Sequence, residues 1–170
     1  YDLPVCGEGW LEIHIEGEAP RKIGITRVHM EEDTARLLHR TDGVSGETYS
    51  LIDINRSGTP LMEIVSEPDM RTPAEARDYL VRLRQILRYI GVSEANMEDG
   101  NFRCDANVSL REVGAAEFGT KVEVKNMNSF RAVDDAIAFE EVRQAGMLDR
   151  GERIIQETRG WVDDTHETLS

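Results

Sequence analysis

Three carboxylates sit in strand-like stretches of this chain: Glu31, Glu63 and Asp105. Glu63 interrupts Leu61-Met62-Glu63-Ile64-Val65, a run otherwise apolar on both phases. Such a run predicts burial on both sides, where an unpaired ionised carboxylate is costly and takes up a proton, a partner or a metal. Glu63 is therefore the strongest functional candidate on physical grounds, with an ion pair to an arginine such as Arg56 as its structural alternative. Hard divalent ions take oxygen ligands from several elements and bridge phosphate oxygens in phosphoryl transfer. The three acids, with Glu98, Glu123 and neighbouring Arg and Lys, are suited to that chemistry.

Asp105 lies in Asn101 to Arg111, where Phe102, Cys104, Ala106, Val108 and Leu110 alternate with Arg103, Asp105, Asn107, Ser109 and Arg111. Period-two alternation predicts a full strand with one packed face. The other face carries groups able to hold an ion or phosphate, although a solvated strand face shows the same period. Glu31 belongs to a strand expected over Lys22 to Asp33, whose face begins with Ile23 and Ile25 and continues as Arg27, His29, Glu31 and Asp33. That pattern reads as a strand running from core into a pocket. His29, beside carboxylates, reads first as a hydrogen-bonded structural residue.

The elements that must position these groups follow in order. Tyr1 to Gly9 reads as a loop, Trp10 to Glu16 as a strand, and Thr34 to Leu38 as a short helix. A flexible loop at Gly43 to Gly46 precedes a strand over Tyr49 to Arg56 and a turn at Ser57-Gly58-Thr59-Pro60. Thr72-Pro73-Ala74-Glu75 predicts a helix start, and Ala76, Tyr79, Leu80, Leu83, Ile86, Leu87 and Ile90 form its apolar face up to Gly91. The Asn101 to Arg111 strand pairs as a hairpin with Thr120 to Lys125, turning Val122 and Val124 inward. Asn126 to Ser129 caps a second helix running to about Ala145. A linker between Gly146 and Gly151 and a last strand over Glu152 to Trp161 complete the expectation. Strands grouped in hairpins, with helices between the groups, give an α+β fold with a mainly antiparallel sheet.

Length and composition narrow the class. At 170 residues, with 39% apolar content, the chain has enough material for a sizeable core. Two cysteines, Cys6 and Cys104, build neither a disulfide framework nor a Cys-x-x-Cys zinc site, so a reducing, cytoplasmic setting is expected. No membrane partner is expected, because no apolar run is long enough to span one. The formal net charge of −13 disfavours nonspecific nucleic-acid binding through a broad basic surface. Arg77, Arg82, Arg84 and Arg88 read as a solvated helix face. The opening on Tyr1 and the polar end at Ser170 point to a piece of something longer.

No phosphate loop, dinucleotide fingerprint, nucleophile elbow or His-Glu-x-x-His motif occurs. Longer strings carry a resemblance instead. Ile23 to Asp33, Asp53 to Arg56, Thr59 to Asp69 and Arg103 to Ser109, together with Lys125-Asn126-Met127-Asn128-Ser129-Phe130 and Gln156-Glu157-Thr158-Arg159, closely resemble the B-subunit family of glutamyl/aspartyl-tRNA amidotransferases. The resemblance spans essentially the whole chain.

It implies an ATP-dependent ligase site on a fold similar to the glutamine synthetase catalytic fold. Glu misacylated on tRNA(Gln), or Asp on tRNA(Asn), is phosphorylated on its side chain, and ammonia from a partner amidase displaces the phosphate. The implied cofactors are ATP and Mg2+. The implied partners are the amidase and the small third subunit of the same heterotrimer, with misacylated tRNA. By resemblance, Glu31, Glu63 and Asp105 are assigned to catalysis and metal binding; Arg103, Lys125 and Arg159 are candidate phosphate contacts, because fixed cations are needed near the metal. Residues 1–170 correspond to the central part of the family's catalytic cradle domain. The family's earlier Gly-Leu-Glu-Val-His strand, its zinc cysteine cluster and its C-terminal helical and tail domains are not in this sequence, so the piece alone is expected to be inactive. Leu11-Glu12-Ile13-His14-Ile15 looks like that strand but follows Asp2-Leu3-Pro4, which places it later, and Glu12 and His14 take no ligand role. Two other readings share these residues: an acidic scaffold docking the amidase and tRNA, and an amide ligase of the glutamine synthetase type acting on a free amino acid.

Overall fold

A computed structural model describes residues 3–170. The order of elements is β1 (Cys6–Ile13), β2 (Arg21–Glu32), β3 (Arg36–Thr41), β4 (Thr48–Asp53), β5 (Pro60–Ser66), α1 (Pro73–Tyr89), β6 (Ala106–Val108), β7 (Val122–Lys125), α2 (Phe130–Asp149), β8 (Thr158–Val162) and β9 (Glu167–Leu169). The fold is α+β and mostly antiparallel, as its alternating stretches dictate, while β7 and β8 run parallel. The chain divides into two compact units, one of residues up to Trp10 with Gly24–Asp69, the other of Leu11–Ile23 with Met70–Ser170.

In the first unit, β2 lies between β1 and β5, and β3 and β4 form a two-stranded sheet of their own. A bulge between Ile25 and Arg27 interrupts the β2–β5 ladder. Near it, Gly24 donates its N–H to Asp69 at 2.9 Å and Thr26 donates its hydroxyl to Glu67 at 2.7 Å, closing the ladder's end. Among the described residues of this unit, the single buried one is His29. No apolar side chain described in the unit is fully buried, which is unusual for a folded segment of this size.

The second unit holds the hydrophobic core. Leu11, Ile13 and Ile23, the alternating apolar residues of its first stretch, are buried, as are Val122, Val124, Val133 and Ala136. Thr72 caps α1 by accepting from the Glu75 N–H at 3.2 Å, and Pro73 occupies the first turn. Glu75 turns back beyond the cap, accepting from the Arg71 N–H and from the Arg21 guanidinium. Ser129 caps α2, and the two helices pack on each other.

The structure corrects several expectations. Thr34 to Leu38 is not helical; Arg36–Thr41 is strand β3, because Leu37 and Leu38 pair across β4 with Ile52 and Leu51. Cys6–Ile13 is strand where a loop was expected through Gly9, and the strand stops at Ile13, short of Glu16; Tyr1 and Asp2 lie outside the described residues. The Asn101 to Arg111 strand shrinks to Ala106–Val108, although the burial alternation holds, with Cys104 and Ala106 half-buried between exposed Arg103, Asp105 and Asn107. Ile86 and Ile90 are exposed, off the packed face of α1. Gly146 lies inside α2, which runs on to Asp149 before Gly151, at φ 74°, ends it. The last strand starts only at Thr158, and a further strand, β9, follows it.

Candidate metal centre

His29 and Glu31 are two residues apart on β2 and therefore share a face. The ladder pairs His29 with Glu63 of β5, which brings the third side chain to the same place. The His29 Nε2 lies 2.8 Å from a Glu31 oxygen and 3.1 Å from a Glu63 oxygen. One ligand atom from each lies within 4.8 Å of the other two, a spacing that one metal ion can bridge. The imidazole is buried, Glu31 half-buried and Glu63 half exposed, so the cluster has a fixed floor and an open side. The hydrogen bond from His29 chiefly holds the Glu31 carboxyl below its usual range, against a smaller upward push from burial.

The donor set fits a divalent cation. Two carboxylates supply charge and the hard oxygen donors that magnesium and manganese take, and one imidazole nitrogen adds a borderline donor of the kind transition metals take more readily than magnesium. The end of β2 is pinned beside it. Asp33 pairs with Arg56 at 3.1 Å, and backbone bonds join the Asp33 N–H to Thr59 and the Gly58 N–H to Asp33.

Glu63 does not reach this site by burial. Its strand is only half-buried, Glu63 itself is exposed, and Arg56 pairs with Asp33 instead. The cross-strand position of Glu63, opposite a buried histidine, is what marks it. His29, which reads from the sequence as structural, is the residue that the sequence alone leaves out of the site. Its signal lies in the alternation Arg27, His29, Glu31, but the partner that matters comes through the β2–β5 register.

The remaining assigned residues lie in the second unit. Asp105 accepts from the Lys125 ammonium at 2.8 Å, and Glu123 stands 3.5 Å from the same nitrogen. That hydrogen bond to Asp105 is the main reason the Lys125 ammonium titrates above its ordinary value. Arg103 is exposed on the same stretch. Arg159 is mostly buried and committed to structure, donating through Nε to the Thr168 hydroxyl at 2.8 Å, through Nη2 to the Thr168 carbonyl at 2.6 Å and through Nη1 to Glu157 at 2.9 Å. It works in a polar core built on Glu140, which is fully buried and accepts from Arg143, Gln144 and Thr168.

Known proteins match this chain over its full length. A protein of Dehalococcoides mccartyi (strain ATCC BAA-2266 / KCTC 15142 / 195), named as the B subunit of an aspartyl/glutamyl-tRNA(Asn/Gln) amidotransferase, is 64% identical over all 170 residues, which make up 34% of that relative. The protein of the same name from Thermomicrobium roseum is 57% identical over 35% of its length, and that from Trichormus variabilis 55% over 36%. The chain thus spans about a third of the curated relatives it matches. The family described as GatB/GatE catalytic domain covers residues 1–170, and the chain belongs to it.

Proposed function

We propose that this chain is the central part of the catalytic domain of a tRNA-dependent amidotransferase and that His29, Glu31 and Glu63 form its divalent-cation centre. The observation that carries this reading is the convergence of one imidazole and two carboxylates within 4.8 Å on two paired strands. The name shared by the relatives supplies the chemistry: amidation of an aspartyl or glutamyl group carried on tRNA.

The side-chain carboxylate of the misacylated residue attacks the terminal phosphorus of ATP, and ADP leaves with the electron pair of the broken bond. Ammonia from a partner amidase then adds to the acyl carbon, loses a proton and expels inorganic phosphate. Two anions must meet in the first step, and a bound Mg2+ or Mn2+ supplies the charge neutralisation that permits it. The His29 Nε2, which here lies 2.8 Å from Glu31 and 3.1 Å from Glu63, would give up its proton to hold such an ion together with the two carboxylates. Lys125 and Arg103 are the proposed phosphate contacts in the second unit, with Asp105 as the proposed further acid. The assembly is proposed to hold the amidase and a small third subunit, and to work in the cytoplasm. No helix of the described residues is long and apolar enough to cross a membrane.

The test uses the full-length chain in complex with its amidase. Glu31→Gln and Glu63→Gln are each expected to lower ATP hydrolysis dependent on misacylated tRNA by about a hundredfold, which corresponds to roughly 2.7 kcal/mol of transition-state stabilisation. Turnover within threefold of the parent in both variants would overturn the assignment.

A further inference from the structure

A cavity of about 170 Å³ opens in the second unit where the loop after α1 meets the start of α2. Arg84 of α1, the stretch Ala95 to Glu98 and the stretch Asn128 to Phe130 line it. The cation centre and the phosphate contacts proposed above use none of these residues. The volume is well above the roughly 30 Å³ share of one water and below the roughly 300 Å³ from which pockets take a whole drug-sized ligand. It therefore suits one ring system of a larger molecule.

The protein's own bonds fix the walls. Ala95 is fully buried at φ 47°, a left-handed conformation that alanine keeps only under constraint. Its carbonyl accepts from the Arg84 Nε at 2.9 Å, and its N–H donates to the Ser93 hydroxyl at 3.0 Å. The loop then closes on itself, with the Asn96 N–H donating to the Asn101 side-chain oxygen at 2.5 Å and the Gly100 N–H to the Met97 carbonyl at 3.0 Å. On the opposite wall the Phe130 ring meets Phe102 edge-on at 5.9 Å, and the Arg84 guanidinium stands 6.0 Å from its centre.

The lining selects the ligand. Phe130 and Met97 offer apolar, polarisable surface, while the Glu98 carboxylate repels a phosphate and the Arg84 Nε is committed to Ala95. The Asn96 amide is taken by Asp99 at 2.6 Å, and the Ser129 hydroxyl oxygen accepts from the Ala132 N–H at 3.0 Å. Asn128 is exposed, and among the described residues its carboxamide makes no hydrogen bond, so it presents a donor beside an acceptor. An aromatic wall with a carboxamide beside it recognises a flat, uncharged heterocycle, and a carboxamide matches adenine in a bidentate pair. Guanine places its O6 acceptor where adenine has an amino donor, and Glu98 repels it. We propose that this cavity takes an adenine base, stacked on Phe130 and read by the Asn128 carboxamide. ATP and the 3′-terminal adenosine of tRNA both carry that base. That one of the two supplies it rests on the function proposed above; the base site does not.

The experiment titrates adenosine and guanosine into the full-length chain by calorimetry. The parent is expected to favour adenosine at least tenfold. Phe130→Leu removes the stacking surface and is expected to weaken adenosine at least tenfold. Asn128→Asp leaves only acceptors, which repel the ring nitrogens of adenine and suit the N–H groups of guanine, so the preference is expected to reverse. A merely structural role for Asn128 moves no such preference, and its exposed position keeps the test intact where Phe130→Leu does not fold. Adenosine has no phosphate, so Glu63→Gln is expected to bind it within twofold of the parent, which separates this site from the cation centre. Two further titrations identify the source. Weakened ATP in Asn128→Asp assigns the base to the nucleotide; loss of the parent's discrimination between tRNA transcripts with and without the terminal adenosine assigns it to tRNA. A parent that binds neither nucleoside, or both equally, overturns the proposal, as does an unchanged preference in Asn128→Asp.

Discussion

Glu63 stands directly across from His29 in the β2–β5 ladder, and their side-chain atoms approach to 3.1 Å. A one-residue slip of that register would carry Glu63 to the opposite face and dissolve the cluster. The cluster is therefore a property of the pairing, and ion binding reports on it directly. Titration of the chain with Mn2+, followed by electron paramagnetic resonance, is expected to show one site. Loss of one ligand in His29→Ala or Glu63→Gln should weaken it at least tenfold, about 1.4 kcal/mol. An unchanged dissociation constant in both would show that the ion binds elsewhere.

The two cysteines differ sharply in environment. Cys6 is exposed, whereas burial, aided by the nearby Asp105 charge, pushes the Cys104 thiol up to about 12. At pH 8 only about one Cys104 in ten thousand is then thiolate, the reactive form. Intact-mass analysis after iodoacetamide treatment should show one adduct on the native chain and two in denaturant. Two adducts on the native chain within the time that labels Cys6 would contradict that environment.

Much of this fold was legible because local chemistry and tertiary packing agree. Thr72-Pro73-Ala74-Glu75 and Ser129 fix helix starts through their own hydrogen bonds, and alternating residues such as Ile23, Val122 and Val124 turn inward as their period demands. The failures share one cause. Arg36-Leu37-Leu38 has no strand period of its own and becomes β3 only because β4 pairs with it. Alternation alone is also insufficient: the stretch from Asn101 to Asp105 keeps the alternating burial, yet the ladder with β7 begins only at Ala106. The candidate site was half legible for the same reason. Glu31 and Glu63 could be singled out one at a time, but the role of His29 follows from register, which composition does not encode.

Gly119 tests a close backbone approach. A Cβ built there would overlap the Leu110 carbonyl oxygen and stand 3.1 Å from the carbonyl carbon, and backbone cannot yield as a side chain can. Gly119→Ala is expected to cost about 1–3 kcal/mol, the usual range for forced overpacking. At Gly43 the same Cβ meets nothing within 4 Å, so Gly43→Ala should lie within about 0.5 kcal/mol of the parent. Urea denaturation of the two variants side by side measures the difference, and equal midpoints would refute the close approach.

Glu140 gives the chain an acid-sensitive core. Burial alone would raise its carboxyl, but hydrogen bonds from Arg143, Thr168 and Gln144 outweigh it and hold the group below the ordinary value of 4.5. A depressed folded pKa means that the unfolded chain binds the proton more readily, so this stabilisation is complete above pH 4.5 and fades as pH falls through the folded value. Glu140→Ala strands the Arg143 and Arg159 guanidinium groups and is expected to cost about 3 kcal/mol near neutral pH. The gap between parent and variant, measured by urea denaturation, should narrow as pH drops below 4.5. A gap that widens there would mean that Glu140 is protonated in the folded chain.

Asp105 separates function from stability. Its ion pair with Lys125 is short, at 2.8 Å, yet the two side chains are 49% and 41% exposed, so solvent screens most of the attraction. Asp105→Asn should therefore change stability by at most about 1 kcal/mol. If Asp105 takes part in phosphoryl transfer, the full-length variant should lose tRNA-dependent ATP hydrolysis by a factor that so small a stability change cannot explain. Thermal unfolding and turnover are measured on the same preparation at a temperature where both proteins are folded. Activity within threefold of the parent would reduce the Asp105–Lys125 pair to a surface contact and leave the chemistry to the His29 cluster. A loss of about a hundredfold, roughly 2.7 kcal/mol, with unchanged unfolding would make Asp105 a second acidic contributor, reached from a different part of the chain.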